Sequence, residues 1–186
     1  MIKLERAVTD DNILQILDLQ KRNLKKNLSE EDIQSQGFVT AEHTFEQLKK
    51  INDLESTIIA TDNGKVIAYA IAMKREAGEG MEVFKELFET VDSLEIDGKA
   101  INNFKYIFVG QLCIDKTYRG QKLVEKLYGF FKEELKERYN FALTDISEHN
   151  PRSFKAHLNS GFKYIHTFYD EFTKTNWNIV MLDFSI

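Results

Sequence analysis

The sequence predicts a mixed α/β (α+β) fold around a central, mostly antiparallel sheet flanked by helices. Three observations carry that reading. Asn63-Gly64 joins the apolar runs Thr57–Thr61 and Lys65–Met73, and both residues accept the positive φ that a tight hairpin needs. Two aromatic-rich runs, Phe162–Tyr169 and Trp177–Phe184, close the chain as another antiparallel pair. Between these hairpins, strand-like and helical segments alternate as β-α-β-α.

Ile2–Ala7 reads as a first strand. Thr9 then caps a helix whose apolar positions Ile13, Ile16, Leu17 and Leu24 keep helical spacing. Ser29 with Asp32 gives a weaker capping signal for a short second segment. Thr44 and Gln47 form a capping box, and Phe45 and Leu48 begin the apolar face behind it. After the hairpin, "GMEVFKELFETVD" places Met81, Phe84, Phe88 and Val91 on one face of a helix, and Asp97-Gly98 turns the chain. Tyr106–Ile114 is apolar enough for a strand buried on both faces. The helix after Arg119 carries Leu123, Leu127, Phe130, Phe131 and Leu135. Phe141–Ser147 is the next strand. Asn150 at the cap, Pro151 at the first helical position and Gly161 past the end bracket the last helix. No repeat, low-complexity run or linker divides the chain. Residues 1–186 are therefore read as one domain, with an insertion at about 78–103.

Composition narrows the functional classes. A hydrophobic share of 42% against 30% charged residues suits a globular core. No apolar run approaches the ~20 residues that span a bilayer, and "MIKLERAVTDD" lacks the apolar stretch of a secretory signal. The single cysteine, Cys113, excludes an internal disulfide and fits a reducing cytoplasm. A net charge of −5 with no dominant Lys/Arg cluster argues against nucleic-acid binding. The four histidines show no metal-ligand spacing, so no metal is expected.

One stretch points to chemistry. In "QLCIDKTYRGQKLVEK" an apolar strand meets a short basic bend that opens a helix. The first amides of a helix have no partner inside it, and its dipole is positive there, so the bend is a candidate anion site.

Two motifs resemble the GNAT N-acetyltransferase superfamily. "LCIDKTYRGQKLVEKLY" resembles its acyl-CoA-binding segment, a strand followed by Arg/Gln-x-x-Gly-x-Gly/Ala and a helix. "NPRSFKAHLNSGF" (Asn150–Phe162) resembles its next motif, and one strand separates the two, as in the family. The resemblance implies that acetyl-CoA is the co-substrate. Amides around Gly120, Gln121, Lys122, Leu123 and Val124 would hold its pyrophosphate, and Arg119 would add a charge-assisted bond. It implies that Leu112 and Ile114 lie on a strand splayed from its neighbour and bind the pantetheine arm, with an amide near Cys113 or Ile114 as oxyanion donor. Asn150 and Ser153 would add cofactor contacts. Lys122 and Val124 depart from the family pattern, standing where glycine and Gly/Ala are usual. Lys122 either crowds the phosphate or attracts it.

For catalysis, His157 occupies the family's tyrosine position. It is read either as a general acid or as a packing histidine. Asp145 and Glu148 are the candidate general bases, with Glu42 and His43 further off, while Gln111 stands where some relatives carry a carboxylate. Cys113 reads as a buried packing thiol. The resemblance therefore implies direct N-acetyl transfer in a ternary complex to a primary amine on a small molecule or a protein. The rival is a non-catalytic acyl-CoA sensor or scaffold. The insertion is read as a plain elaboration, a homodimer surface or a lid.

Overall fold

A computed structural model describes residues 1–185. The chain runs β1 (Ile2–Arg6), α1 (Asp10–Asn23), α2 (Glu30–Gln36), α3 (Phe45–Leu54), β2 (Ile58–Asp62), β3 (Lys65–Met73), α4 (Arg75–Gly78), α5 (Lys85–Asp92), β4 (Glu95–Ile96), β5 (Lys99–Ala100), β6 (Tyr106–Ile114), α6 (Leu123–Leu135), β7 (Phe141–Ser147), α7 (Pro151–Asn159), β8 (Lys163–Asp170) and β9 (Thr175–Asp183). Seven strands form one sheet in the order β1-β2-β3-β6-β7-β9-β8. All neighbours are antiparallel except β6 and β7.

The local signals act as expected. Thr9 and Thr44 each accept from the amide three residues on, and Asn12 and Gln47 bond back to close both capping boxes. Ser29 caps α2, and Asn150 caps α7 with Pro151 at its first turn. Asn63 and Gly64 take φ of 50° and 78° in the β2–β3 turn. The helical stretch expected after Met81 is split. A single 3₁₀ turn, Glu82–Phe84, precedes α5, yet Phe84, Phe88 and Val91 still point into the core.

Two apolar layers cover the sheet. Ile13, Ile16, Leu48, Ile51, Phe88 and Val91 of α1, α3 and α5 pack on one face, and Leu127, Tyr128 and Phe131 of α6 pack on the other. The 78–103 segment is part of the first layer, since the Phe88 ring packs tilted at 5.0 Å from that of Phe108 of β6.

The feature that makes a site is a failure of pairing. β6 and β7 pair only from Tyr106–Phe108 with Phe141–Leu143. The Thr144 hydroxyl donates to the Val109 carbonyl at 2.9 Å just past that point, and beyond it the strands separate. A register shift against β3 puts Gly110 and Gln111 opposite Ile71 alone, so β6 carries a bulge where the gap opens.

Candidate active site

The gap holds a cavity of about 280 Å³ between the end of β6, the start of α6 and the exposed side of α7. Leu112, Cys113, Ile114, Arg119, Gly120, Lys122, Leu123, Val124, Asn150 and Ser153 line it, with Gln36–Val39 forming the opposite wall. Gln121 does not line it. Its side chain reaches back to the Thr117 carbonyl.

Main-chain polarity in the cavity follows from strand alternation. The Asp115 amide bonds to Ile67 of β3 at 2.8 Å. Backbone groups of alternate residues face opposite neighbours, so Cys113 also faces β3, while Leu112 and Ile114 face the gap. The Ile114 carbonyl is already used, because Arg119 Nε donates to it at 3.1 Å. The Leu112 amide and carbonyl and the Ile114 amide remain as an open β-edge.

At the bend, none of the amides from Gly120 to Glu125 has a hydrogen-bond acceptor among the described residues. Gly120 takes a φ of 77°, and Lys122, the residue before α6, takes 56°. Lys122 thus adopts the left-handed conformation that a glycine would supply, and its exposed side chain lies clear of the core. The amide array survives the departure from glycine at the cost of local strain. In urea denaturation, Lys122→Val should lose ~1–2 kcal/mol, because a β-branched residue resists this conformation, whereas Lys122→Gly should not destabilise.

Arg119 is placed differently from the expectation of a phosphate ligand. Besides Ile114, its guanidinium donates to Asn23 Oδ1 at 2.6 Å and to the Gln36 carbonyl at 3.3 Å. Half-burial lowers its pKa from the usual guanidinium value. It acts as a cross-tie fixing the bend to the ends of α1 and α2. Asn150 does similar work across the mouth, since its Nδ2 donates to the Phe38 carbonyl at 2.9 Å.

A second cavity, of about 80 Å³, continues through the gap on the other face of the sheet. It shares Phe38, Val39, Leu112, Asn150 and Ser153 with the first. Asp145, His157, Phe84 and Trp177 lie in its walls. Asp145 has a strip of open surface and accepts no side-chain hydrogen bond among the described residues, and burial with a smaller push from Asp170 raises its pKa to about 7. Glu148 stands outside both cavities. It accepts from Thr175 and Asn176, and the bonds from Asn176 hold its pKa below the usual carboxylate value.

His157 is buried, with both ring nitrogens engaged. Nδ1 lies 2.8 Å from the Ser153 carbonyl, which can only accept, so Nδ1 carries the proton. Nε2 then accepts from the Tyr128 hydroxyl at 2.7 Å. Burial lowers its pKa to about 4, leaving it neutral at physiological pH. Cys113 is also buried, and its thiol is pushed up to about 12, mainly by burial. Gln111 sits in a closed network. It accepts from Tyr69 at 2.5 Å and Gln20 at 2.8 Å and donates to the Ala41 carbonyl at 2.8 Å. His43 joins this network through Gln20, while Glu42 pairs with Lys26 at the surface.

Sequence reasoning missed Trp177, Phe84 and the Gln36–Val39 wall. A lone tryptophan between two asparagines in a terminal strand was a signal for the first. Nothing local marks the others, which reach the cleft through long-range packing.

An open β-edge running into a helix-start amide array suits an extended ligand that ends in an anion, as an acyl-coenzyme A does. The chain belongs to the acetyltransferase (GNAT) family, whose model matches residues 25–162. It is accordingly an acyl-CoA-dependent N-acetyltransferase with acetyl-CoA as co-substrate. The fold is shared with the ribosomal-protein-S18-alanine N-acetyltransferase of Escherichia coli, at 12% identity and a TM-score of 0.64, covering 100% of this chain and 96% of that one. It is also shared with the NatC complex bound to Gag peptide and coenzyme A, at 14% identity and a TM-score of 0.64 over 98% of each chain. A third is yncA, a putative acetyltransferase from Salmonella typhimurium with its cofactor acetyl-CoA, at 11% identity and a TM-score of 0.61, covering 98% and 94%. No curated protein matches the chain in sequence.

Proposed function

We propose that the chain moves an acetyl group from acetyl-CoA directly to a primary amine in a ternary complex, with Asp145 as general base. The observation that carries this reading is the carboxyl of Asp145. Among the described residues it has no side-chain hydrogen-bond partner, it lines the cavity behind the open edge of β6, and burial raises its pKa to about 7. An alkylammonium has a pKa near ~10, so a carboxylate raised this far takes its proton far more readily than an ordinary one.

The remaining roles follow from placement. Acetyl-CoA supplies the activated acyl thioester. The amides of Gly120 to Glu125 would hold its diphosphate, with Lys122 adding charge at the rim. Leu112 and Ile114 would bond the pantetheine arm, and the Ile114 amide is the candidate oxyanion donor. Asn150 and Ser153 border the arm. Both ring nitrogens of His157 are committed to protein, which supports a role in fixing α7 against α6 over one in proton donation. Of the two carboxylates expected as bases, Asp145 faces the cavity and Glu148 does not. A thiol with a pKa of about 12 disfavours an acyl-enzyme on Cys113.

The test is thiol release from acetyl-CoA across a panel of amines, with rapid-quench sampling of the protein. The expected result is amine-dependent release with no acetylated protein in the first turnover. Coenzyme A binding without release on any amine would select the sensor reading, and a burst of acetyl-enzyme would refute direct transfer.

A further inference from the structure

The second cavity also constrains what enters it. One wall is apolar, from Val39, Val83, Phe84, Ile146 and Trp177, while Thr40, Gln111, Thr144 and Ser147 add polar groups elsewhere, and among the described residues no Lys or Arg lines it. Asp145 is its one carboxylate. Behind it lies the buried Asp170, whose charge adds to the negative potential at Asp145.

Trp177 is fixed in this wall from behind. Its Nε1 donates to Thr173 Oγ1 at 2.9 Å, and that hydroxyl donates to Asp170 at 2.5 Å. The Thr173 amide donates to the same carboxylate at 2.6 Å. The β8–β9 turn is thus built as a bracket for one indole, so the indole is pre-set before anything binds. An indole attracts a cation across its face, by ~0.5–2 kcal/mol according to how dry the site is.

Surface chemistry narrows the choice further. Val83, Phe84 and Trp177, whose Nε1 is committed to Thr173, offer no free hydrogen-bonding group on this wall, so it suits methylenes better than a hydroxylated sugar ring.

Resting on the transfer reading above, we infer that the acceptor is an ammonium group on an unbranched aliphatic stem. The charged end meets Asp145 and Trp177, and the methylenes lie against Val83 and Phe84. A free diamine and a lysine side chain share this chemistry. An amino sugar does not. Trp177 is thereby a specificity-determining residue, and Thr173 and Asp170 position it.

Trp177 is the only tryptophan in the chain, so its fluorescence reports occupancy without any turnover. Wild-type protein is titrated with n-butylammonium, 1,4-diaminobutane, a lysine-containing peptide capped at both ends, glucosamine, butanol and butyrate. The expected result is a saturable change with butylammonium and at least one of the diamine and the peptide, the tighter of which identifies the source. Glucosamine, butanol and butyrate should bind at least tenfold more weakly. Asp145→Asn should weaken ammonium binding at least tenfold and Thr173→Val severalfold, with coenzyme A affinity unchanged in both. Equal response to butanol and butylammonium, tighter binding of glucosamine, or no saturable change with any straight-chain amine would overturn the inference. Acetyl transfer without ammonium selectivity would sink this proposal alone. Selective ammonium binding without transfer would sink the functional reading and leave the subsite standing.

Discussion

Asp145→Asn is expected to lower kcat/KM for amine acetylation by about 10²- to 10⁴-fold, the usual contribution of a positioned general base. The loss should be accompanied by a change in pH profile. In the wild type, kcat/KM should rise with pH through about 7 as Asp145 ionises; in the variant that limb should be gone. The same substitution should stabilise the fold at high pH. The sign follows from the raised pKa. A carboxyl that holds its proton more tightly when folded favours the fold below its unfolded value of 3.8, and loses that advantage as pH rises through about 7. Above pH 8 the wild type therefore carries an ionised carboxylate in a poor environment. In a sealed site the cost would be ~4 kcal/mol; the strip of open surface reduces it to on the order of 1–2 kcal/mol. The thermal midpoint of Asp145→Asn should exceed that of wild type at pH 8, and the difference should shrink at pH 5. A variant that is less stable and equally active would remove Asp145 from the mechanism.

Glu55→Ala is expected to be the most damaging change away from the cleft, at ~3 kcal/mol or more by denaturant unfolding. Glu55, just past α3, has a side chain 2% exposed and binds two guanidiniums. Arg6 of β1 reaches it at 2.9 Å, and Arg138 after α6 reaches both its oxygens at 2.6 and 3.0 Å. Tyr139 donates to it at 3.2 Å. These contacts join the edge strand and the helices on opposite faces of the sheet. Removing the carboxylate leaves Arg6 with only its contacts to Glu134. Burial alone would raise the pKa of Glu55, but the bonds from Arg6 and Arg138 hold it below 4.5. Its contribution is therefore complete above 4.5 and lost as pH falls through the lower folded value. Glu55→Gln should resemble wild type more closely at pH 3 than at pH 7.

Much of the fold was legible because its punctuation is local. Asn63-Gly64, the Thr9 and Thr44 caps and the Asn150–Pro151 start each act within a few residues, and each formed as read. The splay of β6 from β7 is not a local property. It results from a bulge at Gly110-Gln111 and from pairing that ends after Phe108, and the resemblance rather than any pattern implied it. The site was legible in outline for a related reason. Spacing could place Arg119 beside a helix start, but only the packing of α1 and α2 shows its guanidinium turned inward to Asn23 and Gln36. His157 is similar. Its sequence position left proton transfer and packing both open, and only the fold shows its ring bonded to Tyr128. Trp177 lies in a strand 32 residues after Asp145, and only pairing across β9 and β7 brings it to the same cavity.

Where coenzyme A contacts the main chain decides the role of the cleft, and amide hydrogen exchange with and without coenzyme A measures that directly. The expected result is protection concentrated at Gly120–Glu125 and at Leu112 and Ile114, with little change at the β1 edge. Protection elsewhere, with those amides exchanging as fast as in the free protein, would contradict it.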